Sequence, residues 1–165
     1  MPRRLGKIQS GAGSLRQRSN GRRLSAVGAL FVALGALPAW WTFGGGAGGL
    51  PSIAGNAFGS VGDFGPVGAL GFFAALALLA IVIAPDAVGG QLRIDWWPVH
   101  LLLVAAAAFG FLLAVYSAAV TATGGDLSLS TVFSPVRAPG LWITLIGLGA
   151  WISGVAQIVD ARDDR

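Results

Sequence analysis

His100 is the one histidine of a 165-residue chain that has no cysteine and no glutamate. A histidine can ligate a haem or pigment metal, or carry a proton. Here no second histidine completes a bis-histidine site, and Met1 is the sole methionine. The missing cysteine excludes disulfide frameworks, thiolate zinc, iron–sulfur clusters and c-type haem attachment. Without glutamate there is no carboxylate di-iron centre. Tyr116 is the only other titratable side chain in an apolar stretch. On one helix it would lie about 24 Å from His100 at 1.5 Å per residue, too far to act with it as an acid–base pair. Asp63 and Asp126 would meet only if two loops converged, and no apolar stretch pairs a nucleophile with a base. No enzyme, metal or cofactor is expected. His100 is left as the sole candidate ligand of a cofactor-bearing electron-transfer subunit.

The segments that would carry these residues are strongly apolar. Hydrophobic residues make up 55% of the chain, charged residues 11%, and the mean hydropathy is +0.73. Soluble domains carry about 25% charged residues. Four windows approach the ~20 apolar residues that cross a bilayer: about Leu24 to Phe43, Pro66 to Ala84, Trp97 to Val120 and Leu141 to Val159. They predict an all-α membrane four-helix bundle over residues 24–160. A basic tail, 1–23, would precede it and a short tail, 161–165, would follow. Ala36-Leu37-Pro38-Ala39 has the form of a signal-peptide cleavage site. The long basic region before it and the apolar run through Trp40 and Trp41 instead favour an uncleaved anchor.

Ten of the eleven Lys and Arg fall on one side of these spans. Arg3, Arg4, Lys7, Arg16, Arg18, Arg22 and Arg23 precede the first span, Arg93 follows the second, and Arg162 and Arg165 close the chain. Arg137 alone lies opposite. The positive-inside rule puts both termini in the cytoplasm. Trp40, Trp41, Trp96, Trp97, Tyr116 and Trp142 fall at span ends, as an interfacial aromatic belt would, whereas Trp151 lies near mid-span and is expected to pack between helices. The seven basic residues of the tail should attract anionic lipid, and no nucleic-acid partner is expected.

The first outer loop, Gly44 to Gly65, is dense in glycine, and its Leu50, Ile53, Phe58 and Phe64 are expected to fold back on the helix ends; a partner-binding lid is the alternative. The second, Thr121 to Pro139, reads as a turn-rich connection. Asp95 is placed to cap the third span, with Pro98 in its first turn. Small residues recur where helices would touch: Gly140, Gly147 and Gly154 at seven-residue spacing, Gly149 with Ser153, and Gly110, Ala114 and Ala118 at four-residue spacing. Gly28 and Gly35 mark the first span. In lipid, such residues let backbones approach closely.

Leu37-Pro38-Ala39-Trp40-Trp41, Asn56-Ala57-Phe58 in a glycine-rich loop, and Ala138-Pro139-Gly140-Leu141-Trp142 give the chain a likeness. It resembles small four-span membrane proteins of actinobacteria, a group with no assigned activity. Ten arginines to one lysine, with abundant Ala and Gly, fit a high-GC genome. The resemblance implies a bacterial plasma-membrane protein and carries over no site residue. The expected function is that of a non-enzymatic accessory or assembly subunit of a larger envelope or respiratory membrane complex, with lipids and other membrane subunits or a second copy as partners. A small transporter or channel-forming oligomer is the alternative.

Overall fold

Pro38 forces the first departure from these expectations. Its ring disfavours helical geometry at Leu37, and it has no N–H to continue the ladder. The helix over residues 20–35 (α1) stops short of it. The computed structural model describes residues 20–45, 51–59, 66–88 and 97–163. After the proline, Trp41-Thr42-Phe43 are aromatic and β-branched, types that suit a pleated surface. They form β1 (Trp41–Phe43), antiparallel to β2 (Ile53–Gly55), with Trp41 opposite Gly55, Thr42 opposite Ala54 and Phe43 opposite Ile53. Then come α2 (Ala69–Val88), α3 (Trp97–Gly124), a single turn α4 (Leu129–Val132) and α5 (Pro139–Asp163).

The all-α, four-span bundle is therefore corrected. Among the described residues, two helices are long and apolar enough to cross a membrane: Trp97–Gly124, and Pro139–Ala161 within α5. The apolar part of α2 is the shorter Ala69–Ile83. The described turns of α1 rise about 24 Å at 1.5 Å per residue, against a hydrocarbon core of about 30 Å. Leu37 to Phe43, read as the end of a first span, instead make a turn and a strand. Hydropathy registers Trp40, Trp41 and Phe43 as apolar without registering that a helix cannot carry them past Pro38. Residues 20–23, read as tail, are already helical.

Glycine builds the contact between α1 and α5. A Cβ placed on Gly21 would meet the Gly154 carbonyl oxygen at 2.8 Å, one on Gly28 that of Gly147 at 2.6 Å, and one on Gly35 that of Gly140 at 3.0 Å. The relation is reciprocal: from Gly154, Gly147 and Gly140, the oxygens of Gly21, Gly28 and Gly35 lie at 2.7, 2.8 and 2.6 Å. Numbers rise by seven on one helix as they fall by seven on the other, so the helices run antiparallel with glycine on glycine at three levels. The backbones approach closely enough for Cα–H groups to point at carbonyl oxygens, a weak attraction that recurs at helix interfaces.

A second seam joins α2 to α3. Gly110 is the close point, where a Cβ would meet Val67 O at 2.7 Å and Leu70 Cβ at 2.9 Å. Ala74, Ala75 and Leu78 of α2 and Val104, Ala107 and Ala114 of α3 are buried in the core. Trp40 closes it from above: fully buried, it meets Phe111 edge to face with ring centroids 5.4 Å apart.

Candidate functional site

His100 lies in the first turn of α3 and is only 1% exposed, so a helix start that would ordinarily be solvated holds it inside. Among the described residues, no group of three His, Cys, Asp or Glu comes together in a way that could hold a metal ion. Tyr116 is exposed on the same helix, and Asp126 follows α3 in a left-handed turn with φ 55°. Asp63 lies outside the described residues, as do Arg3, Arg4, Lys7, Arg16, Arg18, Arg93, Asp95, Trp96 and Arg165. Arg22 and Arg23, in the first described turn of α1, are half-buried and exposed respectively. With His100 as the sole histidine, the purified protein is expected to be colourless, and His100→Ala to have the same visible spectrum. A haem-type absorption band present in the wild type and lost in the variant would overturn that expectation.

The most elaborate polar arrangement surrounds Arg137. Its guanidinium, half-buried, donates from Nη1 to Gly44 O at 3.0 Å and from Nη2 to Gly45 O at 3.3 Å. Its own carbonyl accepts from Thr42 Oγ1 at 2.8 Å. Gly44 and Gly45 have φ of 76° and 73°, the left-handed conformation that glycine adopts without a Cβ clash, and this aims both carbonyls at the cation. Around this clamp, the hairpin is sewn to the helix ends. Trp40 N donates to Gly55 O at 2.7 Å, Trp40 Nε1 to Gly35 O at 2.8 Å, and Asn56 Nδ2 to Leu37 O at 3.1 Å. Gly140 N donates to Ala39 O at 2.9 Å. Trp41 lies flat against Gly55 and Gly59, where a side chain on Gly55 would meet Trp41 Cε2 at 2.5 Å. Trp40 and Trp41 are thus core residues and not members of an interfacial belt. Trp142 and Tyr116 are exposed, and Trp142 Nε1 donates to Phe133 O at 2.9 Å.

The predicted packing residues divide between two faces. Gly140, Gly147 and Gly154 lie against α1, Gly110 lies against α2, and Ala114 and Ala118 are buried on α3. Gly149 has nothing within 4 Å of a built Cβ, and the exposed Ser153 donates to Gly149 O at 2.8 Å within its own helix. Between the glycine levels of the α1–α5 seam, Ser25 Oγ, Thr144 Oγ1 and Trp151 Nε1 are buried and make no hydrogen bond. Trp151 is 0% exposed. Two contributors escaped the sequence reading: Gly21, placed in the tail although it stands seven residues before Gly28, and Arg137, counted only as a charge.

This combination of a glycine seam, an alanine-rich core and a clamped hairpin defines a helical protein with, among the described residues, two membrane-length helices. No protein-family model, no curated protein and no solved structure matches the chain.

Proposed function

We propose that this chain is a non-enzymatic integral-membrane protein of a bacterial plasma membrane that serves as an accessory or assembly subunit of a larger envelope or respiratory complex. One observation carries the reading: the helices present many large apolar side chains outward. Leu34, Phe73, Leu102, Phe109, Leu112 and Ile146 are exposed, while glycine and alanine line the seams. A soluble monomer rarely exposes apolar patches beyond a few hundred Å². In lipid, that distribution is the stable one, because tight backbone packing there replaces the hydrophobic drive between helices. Purification in mild detergent tests the proposal. Co-purifying heterologous membrane subunits support it, and a protein recovered alone and monomeric counts against it.

Both ends of the described chain would face the cytoplasm. The positive-inside rule favours this, and Gly21, beside Arg22 and Arg23, faces Gln157 and Ile158 near the end of α5. With the seven basic residues before Leu24 changed to Gln, Arg93, Arg162 and Arg165 still oppose Arg137. A terminal reporter is then expected to give mixed orientation, and a wild-type N-terminus accessible from outside would refute the assignment. The three unbonded polar atoms of the α1–α5 seam favour a second reading, a small transporter or channel-forming oligomer in which that seam opens. Solute or ion flux through proteoliposomes of the purified protein alone would select it.

A further inference from the structure

α1 and α5 carry the same face. Each reads glycine, a hydroxyl residue four positions on, glycine three further and glycine seven further. On α1 these are Gly21, Ser25, Gly28 and Gly35, and on α5 they are Gly140, Thr144, Gly147 and Gly154. The contacts repeat as well as the spacing. A Cβ on Gly154 would meet Ser25 Oγ at 2.5 Å, and one on Gly35 would meet Thr144 Oγ1 at 2.5 Å. Each hydroxyl thus fills the notch left by the end glycine opposite. The seam has approximate two-fold symmetry about its central pair, Gly28 and Gly147.

Ser25 and Thr144 are 0% and 1% exposed, and neither hydroxyl makes a hydrogen bond. A hydroxyl within a helix ordinarily bonds the carbonyl one turn back. These two turn to the other helix instead and serve the fit between the faces. A face that carries both knob and notch, and meets its like running antiparallel, is complementary to itself.

Nothing in this fit distinguishes a chain's own α5 from that of another copy. Direction selects among the pairings. Copies inserted the same way round hold their α1 helices parallel to one another, so the antiparallel contact cannot form between two α1 helices, nor between two α5 helices. α1 on the second copy's α5 remains. The reciprocal contact forms with it and closes a two-fold dimer, with as many seams as two monomers have. The hairpin goes with α1, because Trp40 Nε1, Ala57 N and Asn56 Nδ2 hold the carbonyls of Gly35, Ala36 and Leu37.

We infer that the α1–α5 seam is a self-recognition surface whose partner in trans is a second copy of this chain, α1 of each seated on α5 of the other. The inference rests on copies inserted the same way round and needs no heterologous subunit, so it and the assembly role can fail separately.

The chain has no cysteine, so introduced cysteines report the seam without background. Leu24 stands four positions before Gly28 and Ala150 three after Gly147, which sets these two half-buried residues at matching height across the seam. One chain carrying both Leu24→Cys and Ala150→Cys should close a disulfide within itself. Failure to close would remove the seam, and the inference with it. Full-length copies carrying one substitution each, with different tags, are then co-expressed and oxidised in the membrane. A disulfide joining the two tags is expected. It should rise at least about threefold when each copy's own seam is blocked, because the tethered competitor is then removed. The blocks are Gly147→Leu in the Leu24→Cys copy and Gly28→Leu in the Ala150→Cys copy. Moved onto the reporting helices, Gly28→Leu with Leu24→Cys and Gly147→Leu with Ala150→Cys, they should abolish it. Closure only within the doubly substituted chain, with no joined tags in any pair, overturns the inference. So do joined tags indifferent to where the blocks stand, since those report collision. If the blocked chains do not accumulate, the unblocked pair decides alone. Its comparison is two copies that both carry Leu24→Cys, which collide as often but cannot meet across an antiparallel seam, and equal joining in the two pairs would sink the idea.

Discussion

Gly147→Leu is expected to part α1 from α5, whereas Gly149→Leu, two positions along the same helix, leaves them joined. At Gly147 the first added carbon already meets Gly28 O, Phe31 Cβ and Val32 N at 2.8 Å each. Two of these are backbone atoms and cannot swing aside, so the helices must separate at the centre of their seam. At Gly149 there is open space. Overpacking of a tight interior costs about 1–3 kcal/mol, and helices in lipid depend on the close contact that would be lost. With about 2–4 °C per kcal/mol for a chain of this size, the midpoint of thermal unfolding in detergent should fall by roughly 2–12 °C. Gly149→Leu and the volume-conserving Leu145→Ile should stay within a degree or two of the wild type. Equal midpoints for Gly147→Leu and Gly149→Leu would show that the glycine levels do not hold the pair together.

Arg137→Ala should loosen the hairpin and leave that seam intact. It removes two charge-assisted bonds, to Gly44 O and Gly45 O, and leaves both carbonyls to find other donors. Hydrogen bonds to charged groups contribute about 1.5–3 kcal/mol. If the hairpin opens as a unit, amide exchange of the segments around Trp40–Phe43 and Ile53–Ala57 should accelerate by roughly one to two orders of magnitude. Exchange across Gly147–Gly154 should not change. Arg137→Lys should recover only part of the loss, because a compact ammonium lacks the planar fork that reaches two carbonyls at once. Unchanged hairpin exchange in Arg137→Ala would remove the clamp from the account.

Some of this architecture can be read from residue types and some cannot. The apolar runs that became α2, α3 and α5 are visible as composition, and so is the seven-residue glycine spacing on α5. Gly21 was hidden because its neighbours are basic and polar, although its distance from Gly28 and Gly35 repeats the same interval. The hairpin was hidden for another reason. Trp41-Thr42-Phe43 and Ile53-Ala54-Gly55 are short runs flanking glycines, a pattern with hairpin character, but an apolar window extending from Leu24 absorbs the first of them. Pro38 was the available signal, since a proline so placed ends a helix more reliably than hydropathy extends one. The role of Arg137 depends on carbonyls more than ninety positions away, a pairing no local pattern announces. His100 stood out by its chemistry alone, and its burial is a matter of packing that spacing does not reveal.

The glycine register also sets a timetable. The partner of Gly35 is Gly140, and the partners of Gly28 and Gly21 lie later still. A ribosome adding about 5–20 residues per second reaches Gly140 roughly 5–20 s after Gly35 has been made. Through that interval α1 lacks α5, and neither α2 nor α3, made in between, carries three glycines at that spacing. The α1–α5 seam thus closes only late in synthesis, and an insertion machinery or neighbouring subunit that shields this face of α1 would have to release it when α5 emerges.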